Sequence, residues 1–369
     1  MYRNFWSLLL FLFGFALAFA QSATSSPEAL WYYKEEPRSR ESFFKHADKI
    51  DVLGPQTYFL KKDGVVTGSV RQDVLDKAKQ ENIKVMPLLA NIIILKNDKE
   101  YFDMTTMSDL LSNTANWEKV AKVMREEGHK NGYYGWQLDL EHINVKDKEL
   151  FIQFVTYLKK ELAKDNLKLS AAIVSKISDN PEDYKSNYWT EWAGAYDYQR
   201  LGEVLDFVSV MAYDQPNSPG PVATLDWSKK VMQYTLGKIP KEKVSFGIPT
   251  YSWAYRSEDL KNKKSHFLMV DYGLVQTWLT QYEKQKVIKL SEAGYKEAYR
   301  KYWTTGVGSS ALYGGQAWVS YNYNGKNYTI WAENASSFKV KLEQVKSAGV
   351  RGYSAWVLGD EDPAVWSLW

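Results

Sequence analysis

The stretch Tyr133-Tyr134-Gly135-Trp136-Gln137-Leu138-Asp139-Leu140-Glu141-His142 decides how the rest of the chain is read. With a period of two it splits into two faces. Trp136, Leu138 and Leu140 fall on one side, and Gly135, Gln137, Asp139 and Glu141 on the other. The apolar face suits packing under helices. The polar face needs a reason, because two carboxylates two positions apart on a strand have Cα atoms ~6–7 Å apart. Burying both charges without partners is costly. An edge strand with one wet face is the plainer reading of the pattern alone, and the surrounding chain decides against it.

Outward from this stretch a rhythm repeats. Short β-rich runs that end in Gly, Pro, Asn or Asp are predicted at 29–33, 50–59, 83–89, 132–141, 167–173, 205–213, 244–251 and 349–356. Amphipathic helical runs lie between many of them, at 69–80, 117–128, 146–163, 227–236 and 337–348. Strands alternating with helices in this way predict an α/β chain closed into a (β/α)8 TIM barrel rather than an open sheet. Between the seventh and eighth strands lies far more chain than one βα unit needs. There, 268–282 reads as helix, while 317–323 and 326–331 alternate as a hairpin about Asn324-Gly325. These segments predict a small α+β insertion subdomain over about 257–335, at the top of the barrel, walling one side of a cleft.

The first residues read as a targeting segment, 1–20. Arg3 is the positive start, residues 5–19 are apolar, and Ala18-Phe19-Ala20 supplies a small-x-small site before Gln21. The apolar stretch is short of the ~20 residues a membrane span needs, so no stable membrane insertion is expected, a retained N-terminal anchor being the alternative. A spacer, 21–28, then leads into the barrel, 29–369. The mature chain is expected to be secreted or periplasmic, and to be a monomer. With 0 Cys it has no disulfide, thiol nucleophile or Cys-zinc site. Its 47 basic and 44 acidic residues nearly balance and form no basic run, which argues against a nucleic-acid partner.

In a barrel the C-terminal strand ends ring the active site, and the polar residues collect there: Asn91 on the third strand, Asp139 and Glu141 on the fourth, Met211, Tyr213 and Asp214 on the sixth, Tyr251 on the seventh and Trp356 on the eighth. Carboxylates, a tyrosine and a tryptophan suit a sugar site, where acid catalysis meets a stacking surface. Trp189, Trp192, Trp253 and Trp318 are candidates for stacking farther out. A metal site from Asp139, Glu141 and His142 is disfavoured, since His142 falls on the opposite face and the 4 His form no HxH or HxxxH pair. A serine triad lacks its G-x-S-x-G elbow.

At these residues the chain resembles glycoside hydrolase family 18, the chitinase-type (β/α)8 enzymes. The fourth-strand signature Asp-Gly-x-Asp-x-Asp-x-Glu corresponds to Tyr134-Gly135-Trp136-Gln137-Leu138-Asp139-Leu140-Glu141. Met211-Ala212-Tyr213-Asp214, Gly247-Ile248-Pro249-Thr250-Tyr251 and Gly352-Tyr353-Ser354-Ala355-Trp356 match the sixth, seventh and eighth strands. Tyr196-Asp197-Tyr198, Ala212-Tyr213-Asp214-Gln215 and Leu358-Gly359-Asp360-Glu361-Asp362-Pro363 look like the spore-cortex-lytic N-acetylglucosaminidase subgroup, although no LysM-like repeats precede the barrel.

The resemblance implies substrate-assisted, retaining hydrolysis at an N-acetylglucosamine linkage, with no cofactor and no metal. It implies that Glu141 protonates the leaving oxygen, Asp139 orients the substrate acetamido N–H, Tyr213 donates to the acetamido oxygen and Trp356 forms the floor. Asp214 is either a further substrate contact or a structural acid bonding loop amides. The family's inner Asp is Gln137 here, whose amide is expected to hydrogen-bond Asp139. Asn is familiar at this position in the subgroup, so activity is expected, with a pH optimum differing from that of a chitinase. Tyr134 replaces a chiefly structural Asp, and His142 replaces a common Tyr. Barrels of this family that lose the acid become sugar-binding proteins; retention of Asp139, Glu141 and Tyr213 favours an enzyme. Chitin oligosaccharides, peptidoglycan and the N-glycan core all remain candidate substrates.

Overall fold

The computed structural model describes residues 26–94, 100–184, 186–216, 220–256, 267–276, 317–323 and 326–368. The apolar leader, the Asn324-Gly325 turn and most of 257–316 lie outside them. Among the described residues no helix is long and apolar enough to cross a membrane.

Parallel strands close on themselves: β1 (Glu28–Tyr33), β2 (Val52–Leu60), β3 (Leu88–Ala90), β4 (Gly135–Asp139), β5 (Lys168–Val174), β6 (Phe207–Met211), β7 (Val244–Pro249) and β8 (Gly352–Trp356). Each pairs with its neighbours in sequence, and β8 returns to β1 through Glu28↔Gly352 to Trp31↔Ala355. The predicted barrel is the observed one. The β3 position opens early, with Lys84–Val85 already paired to β2; Pro87, which has no N–H to donate, interrupts it before Leu88.

Alternation along the strands sorts side chains into two layers. Trp31, Trp136, Leu138, Ile173 and Val210 face outward and pack under the helices as one continuous core. Leu30, Tyr32, Val52, Met86, Leu88 and Phe207 fill the barrel interior. The two helices ahead of β4 start on polar caps: Asp103 accepts from Thr106 N ahead of Met104–Leu111, and Asn113 accepts from Ala115 N ahead of Thr114–Asn131. The latter helix ends on Gly132 at φ 65°, a left-handed turn that delivers the chain into β4.

One strand breaks its own alternation. In β2, Gln56 lies opposite Leu88 while Tyr58 lies opposite Leu89, so Thr57 is an extra residue, a β-bulge. Gln56 therefore points into the barrel, whereas Tyr58, two residues on, points outward against Tyr133 and Trp136.

Between β7 and β8 stands a second, antiparallel sheet in the order Phe267–Val270, Ser252–Arg256, Lys326–Ala332, Ala317–Tyr323. Its last two strands are the predicted hairpin. The helix predicted from residue 268 is not observed at its start: Phe267–Val270 is a strand, because Ser252–Tyr255 offers it a pairing edge from Ser252↔Val270 to Tyr255↔Phe267. Residues 272–276 are helical, capped by the Asp271 carboxylate, which accepts from Leu274 N at 2.8 Å. The sheet is tied to the barrel by Glu333, buried and held by Lys341 Nζ at 2.6 and 2.7 Å and by Ser337 Oγ at 2.7 Å.

Candidate active site

At the C-terminal end of the barrel a cavity of about 480 Å³ opens between β-strand ends and loops. Asp139, Glu141, Met211, Tyr213, Asp214 and Trp356 line it, together with Tyr32, Gln56, Phe102, Tyr188 and Trp192. β4 ends at Asp139, so Glu141 sits on the loop beyond it, not on the strand as the alternation predicted. Its peptide is fixed from the next strand end. The fully buried Asn91 side chain donates to Glu141 O at 2.8 Å and accepts from Glu141 N at 2.9 Å.

Three residues expected to touch a ligand lie beneath the cavity wall instead. Asn91 is one, spent on the Glu141 backbone and on Asp103 O. Gln137 is the second, and its expected bond to Asp139 is not formed. It accepts from Tyr32 OH at 2.6 Å and donates to Ser170 Oγ at 3.0 Å and Ser209 Oγ at 3.1 Å. Inside a closed barrel these hydroxyls from β1, β5 and β6 converge on the Gln137 amide, whereas Asp139 stands one layer higher. Tyr251 is the third; it is buried and donates its hydroxyl to Asp214.

Asp139 takes its hydrogen bond from an unforeseen residue, Gln56 Nε2, at 3.2 Å. Burial raises the Asp139 carboxyl to about 6, and the Gln56 bond opposes that rise. Burial, then the neighbouring Asp139 and Asp214 carboxylates, push Glu141 well above the usual glutamate range. Asp214 presents a face to the cavity, but loss of solvent around its carboxyl raises it to about 6 against the Tyr251 hydrogen bond. Of these acids Glu141 is the one whose protonated form is favoured both by burial and by two neighbouring carboxylates. Tyr213, raised well above its ordinary value by burial, stays a hydroxyl donor. Gly247 makes room for its ring, since a Cβ there would meet Tyr213 Cε1 at 2.8 Å.

Trp356 is set by Thr250, just past the end of β7: Thr250 N donates to Trp356 O at 2.8 Å, and Thr250 Oγ1 accepts from Val357 N at 2.6 Å and donates to Val357 O at 2.8 Å. Tyr32 packs under it, with ring centroids 5.0 Å apart. On the opposite wall a π-helix, Trp189–Ala193, presents Trp192 to the cavity. His142, left-handed at φ 55°, stacks on Trp192 at 4.6 Å and bonds Phe102 O through Nδ1 at 3.0 Å. It stands at the strand exit and braces two walls. Of the other outer candidates, Trp189 covers the buried Lys176 ammonium, Trp253 is buried in the second sheet, and the Trp318 side chain lies outside the described residues.

Asp139, Glu141 and Asp214 thus meet a hydroxyl donor and an aromatic floor in one cavity, a set that can protonate a leaving group, orient an amide and stack a ring. The family model for glycosyl hydrolases family 18 matches residues 30–362. The glycosylase YvbX of Bacillus subtilis is 26% identical over 91% of this chain and 88% of its own. A cortical fragment-lytic enzyme of the same organism is 21% identical over 86% of this chain and 66% of its own. In three dimensions, the chain is similar to a chitinase from Chromobacterium violaceum (TM-score 0.74, 20% identity, 93% of this chain and 98% of that one). It is also similar to the spore cortex-lytic enzyme SleL of Bacillus megaterium (TM-score 0.72, 21% identity, 93% and 73%). With its fourth-strand acid, its barrel and the match across almost the whole length in agreement, the chain belongs to glycosyl hydrolase family 18.

Proposed function

We propose that this family 18 hydrolase is exported and cleaves β-1,4 linkages at N-acetylglucosamine residues, in chitin oligosaccharides or peptidoglycan, by substrate-assisted retaining hydrolysis. The observation that carries the reading is the convergence of Glu141, Asp139 and Tyr213 on one cavity, where burial and its neighbours raise the Glu141 carboxyl. The substrate 2-acetamido oxygen attacks its own anomeric carbon as Glu141 gives its proton to the leaving oxygen. Asp139 holds the acetamido N–H and offsets the positive charge that develops on the ring formed. Tyr213 directs the acetamido oxygen, and Trp356 stacks beneath the sugar. Water, deprotonated by Glu141, then opens the intermediate with retention. Names among the relatives, cortical fragment-lytic enzyme and chitinase, support the substrate class, and the apolar leader supports export.

The test is product analysis. Protein starting at Gln21 is incubated separately with chitohexaose, purified peptidoglycan and a high-mannose glycoprotein, and products are read by mass spectrometry. Cleavage of chitohexaose or peptidoglycan at an N-acetylglucosamine linkage is expected. Release from the glycoprotein alone would move the assignment to N-glycans, and no product from any of the three would overturn it.

The same site sets a pH dependence. Asp139 works as the carboxylate and Glu141 as the acid, so kcat/KM should rise with pH through about 6, where Asp139 ionises. It should fall again only above the ordinary glutamate range, as Glu141 loses its proton. An acid limb near ~4 instead would mean that burial does not raise Asp139 and that it ionises as an ordinary carboxyl.

A further inference from the structure

Asp139 needs a fixed orientation and a negative charge, and the expected source of both, Gln137, is turned away from it. The Thr57 bulge of β2 supplies a replacement. Without the extra residue, Gln56 and Tyr58 would share a face; with it, Tyr58 remains in the outer core and Gln56 alone enters the cavity. Bulges beside active sites re-aim side chains in this manner. Gln56 is buried, and its Nε2 donates to Asp139 Oδ2 at 3.2 Å.

We propose that Gln56, aimed by the bulge, is the positioning residue that holds Asp139 ionised and fixes which of its oxygens faces the substrate. The donor favours the charged carboxylate over the acid, because only the charged form offers both oxygens as acceptors. The other titratable groups around Asp139 work the opposite way or are neutral. Glu141, at the exit of β4, and Asp214, at the end of β6, are acids. Tyr32 from β1, Tyr196 behind the β4 exit and Tyr213 from the end of β6 are all held as neutral phenols. From β3 and β5 come the apolar Leu88, Ala172 and Val174. The cation lining the cavity among the described residues, Lys34, is engaged at the rim with Glu36 and Glu100. Gln56 is thus the one described group that opposes the loss of charge on Asp139.

This inference rests on the proposed role of Asp139, and its test is built to fail separately. In Gln56→Leu the acid limb of kcat/KM should move up by about one pH unit, with the alkaline limb unmoved and KM changed little. Gln56→Glu keeps the side-chain volume and sets a second carboxyl beside Asp139, so the limb should move up further as the two share a proton. Gln137→Met, which empties the lower layer, should cost stability and leave the limb in place. The Asp139 carboxyl carbon, titrated by NMR in the substrate-free protein and assigned with Asp139→Asn, should show the same upward shifts in both Gln56 variants. An unmoved Asp139 titration in both, or a limb that follows Gln137→Met, would overturn the role of Gln56. An enzyme inactive on every glycan whose Asp139 titration nevertheless shifts would overturn the hydrolytic reading alone.

Discussion

Glu141→Gln should lower kcat on chitohexaose on the order of 10³-fold while leaving sugar binding in place. Glutamine keeps the shape of the side chain and its loop stays clamped by Asn91, whose bonds to residue 141 go to the backbone and not to the side chain. What disappears is the transferable proton. The remaining contributions, ring stacking and orientation of the acetamido group, lower the barrier without one, so some hydrolysis above the uncatalysed rate persists. Single-turnover rates with binding measured in parallel would decide the matter, and a variant within tenfold of the parent would remove Glu141 from the role of acid.

The same substitution should stabilise the fold, by an amount that depends on pH. The folded state binds the Glu141 proton more tightly than an unfolded chain does, where a glutamate titrates near ~4.3. From that value upward the folded protein therefore loses stability as pH rises towards the folded-state pKa. Below it both states carry the proton and the penalty is absent. Thermal midpoints of Glu141→Gln should accordingly exceed those of the parent at pH 8, with the gain shrinking towards pH 4. Such a site is destabilising by construction, because a carboxyl whose pKa is raised is one whose environment resists its charge.

How much of this was legible in the chain follows from which interactions are local. The barrel could be read because each strand and its terminator are written within a few consecutive residues, and the face of Trp136 and Leu138 is the outward one. The residues at the strand ends could be read for the same reason. Contacts across the barrel could not. Gln137 was paired with Asp139 as its neighbour along the strand, but Ser170 and Ser209 arrive from two other strands and take its amide. Asn91 presented itself as a ligand contact, whereas strand adjacency turns it onto the Glu141 peptide. The Thr57 bulge is a matter of register between β2 and β3 and leaves no mark in composition; a lone glutamine in the apolar run Val52–Leu60 was the only available sign. Phe267–Val270 departed from its helical pattern for a similar reason, since the strand it pairs with precedes an interval whose length the pattern does not encode.

Asp139→Asn should cost on the order of 10²–10³-fold in kcat, more than the loss of one charge-assisted hydrogen bond would suggest. The reason lies in which way the new amide must turn. While Gln56 keeps its orientation, with Nε2 towards residue 139, it selects the asparagine oxygen as its partner. The asparagine NH2 then faces the cavity, where the substrate presents its acetamido N–H, and two donors oppose each other. The variant loses the negative charge and the acceptor at once. Gln56→Leu relieves that constraint: with no donor behind it, the amide is free to rotate its oxygen towards the substrate. The double variant Gln56→Leu/Asp139→Asn should therefore be no slower than Asp139→Asn alone, and the two losses should fail to multiply. Independent action would instead give the product of the two single effects, and that result would separate Gln56 from Asp139. Measured in kcat with chitohexaose at pH 7, the cycle reads the orientation of one buried carboxylate through the chemistry it directs.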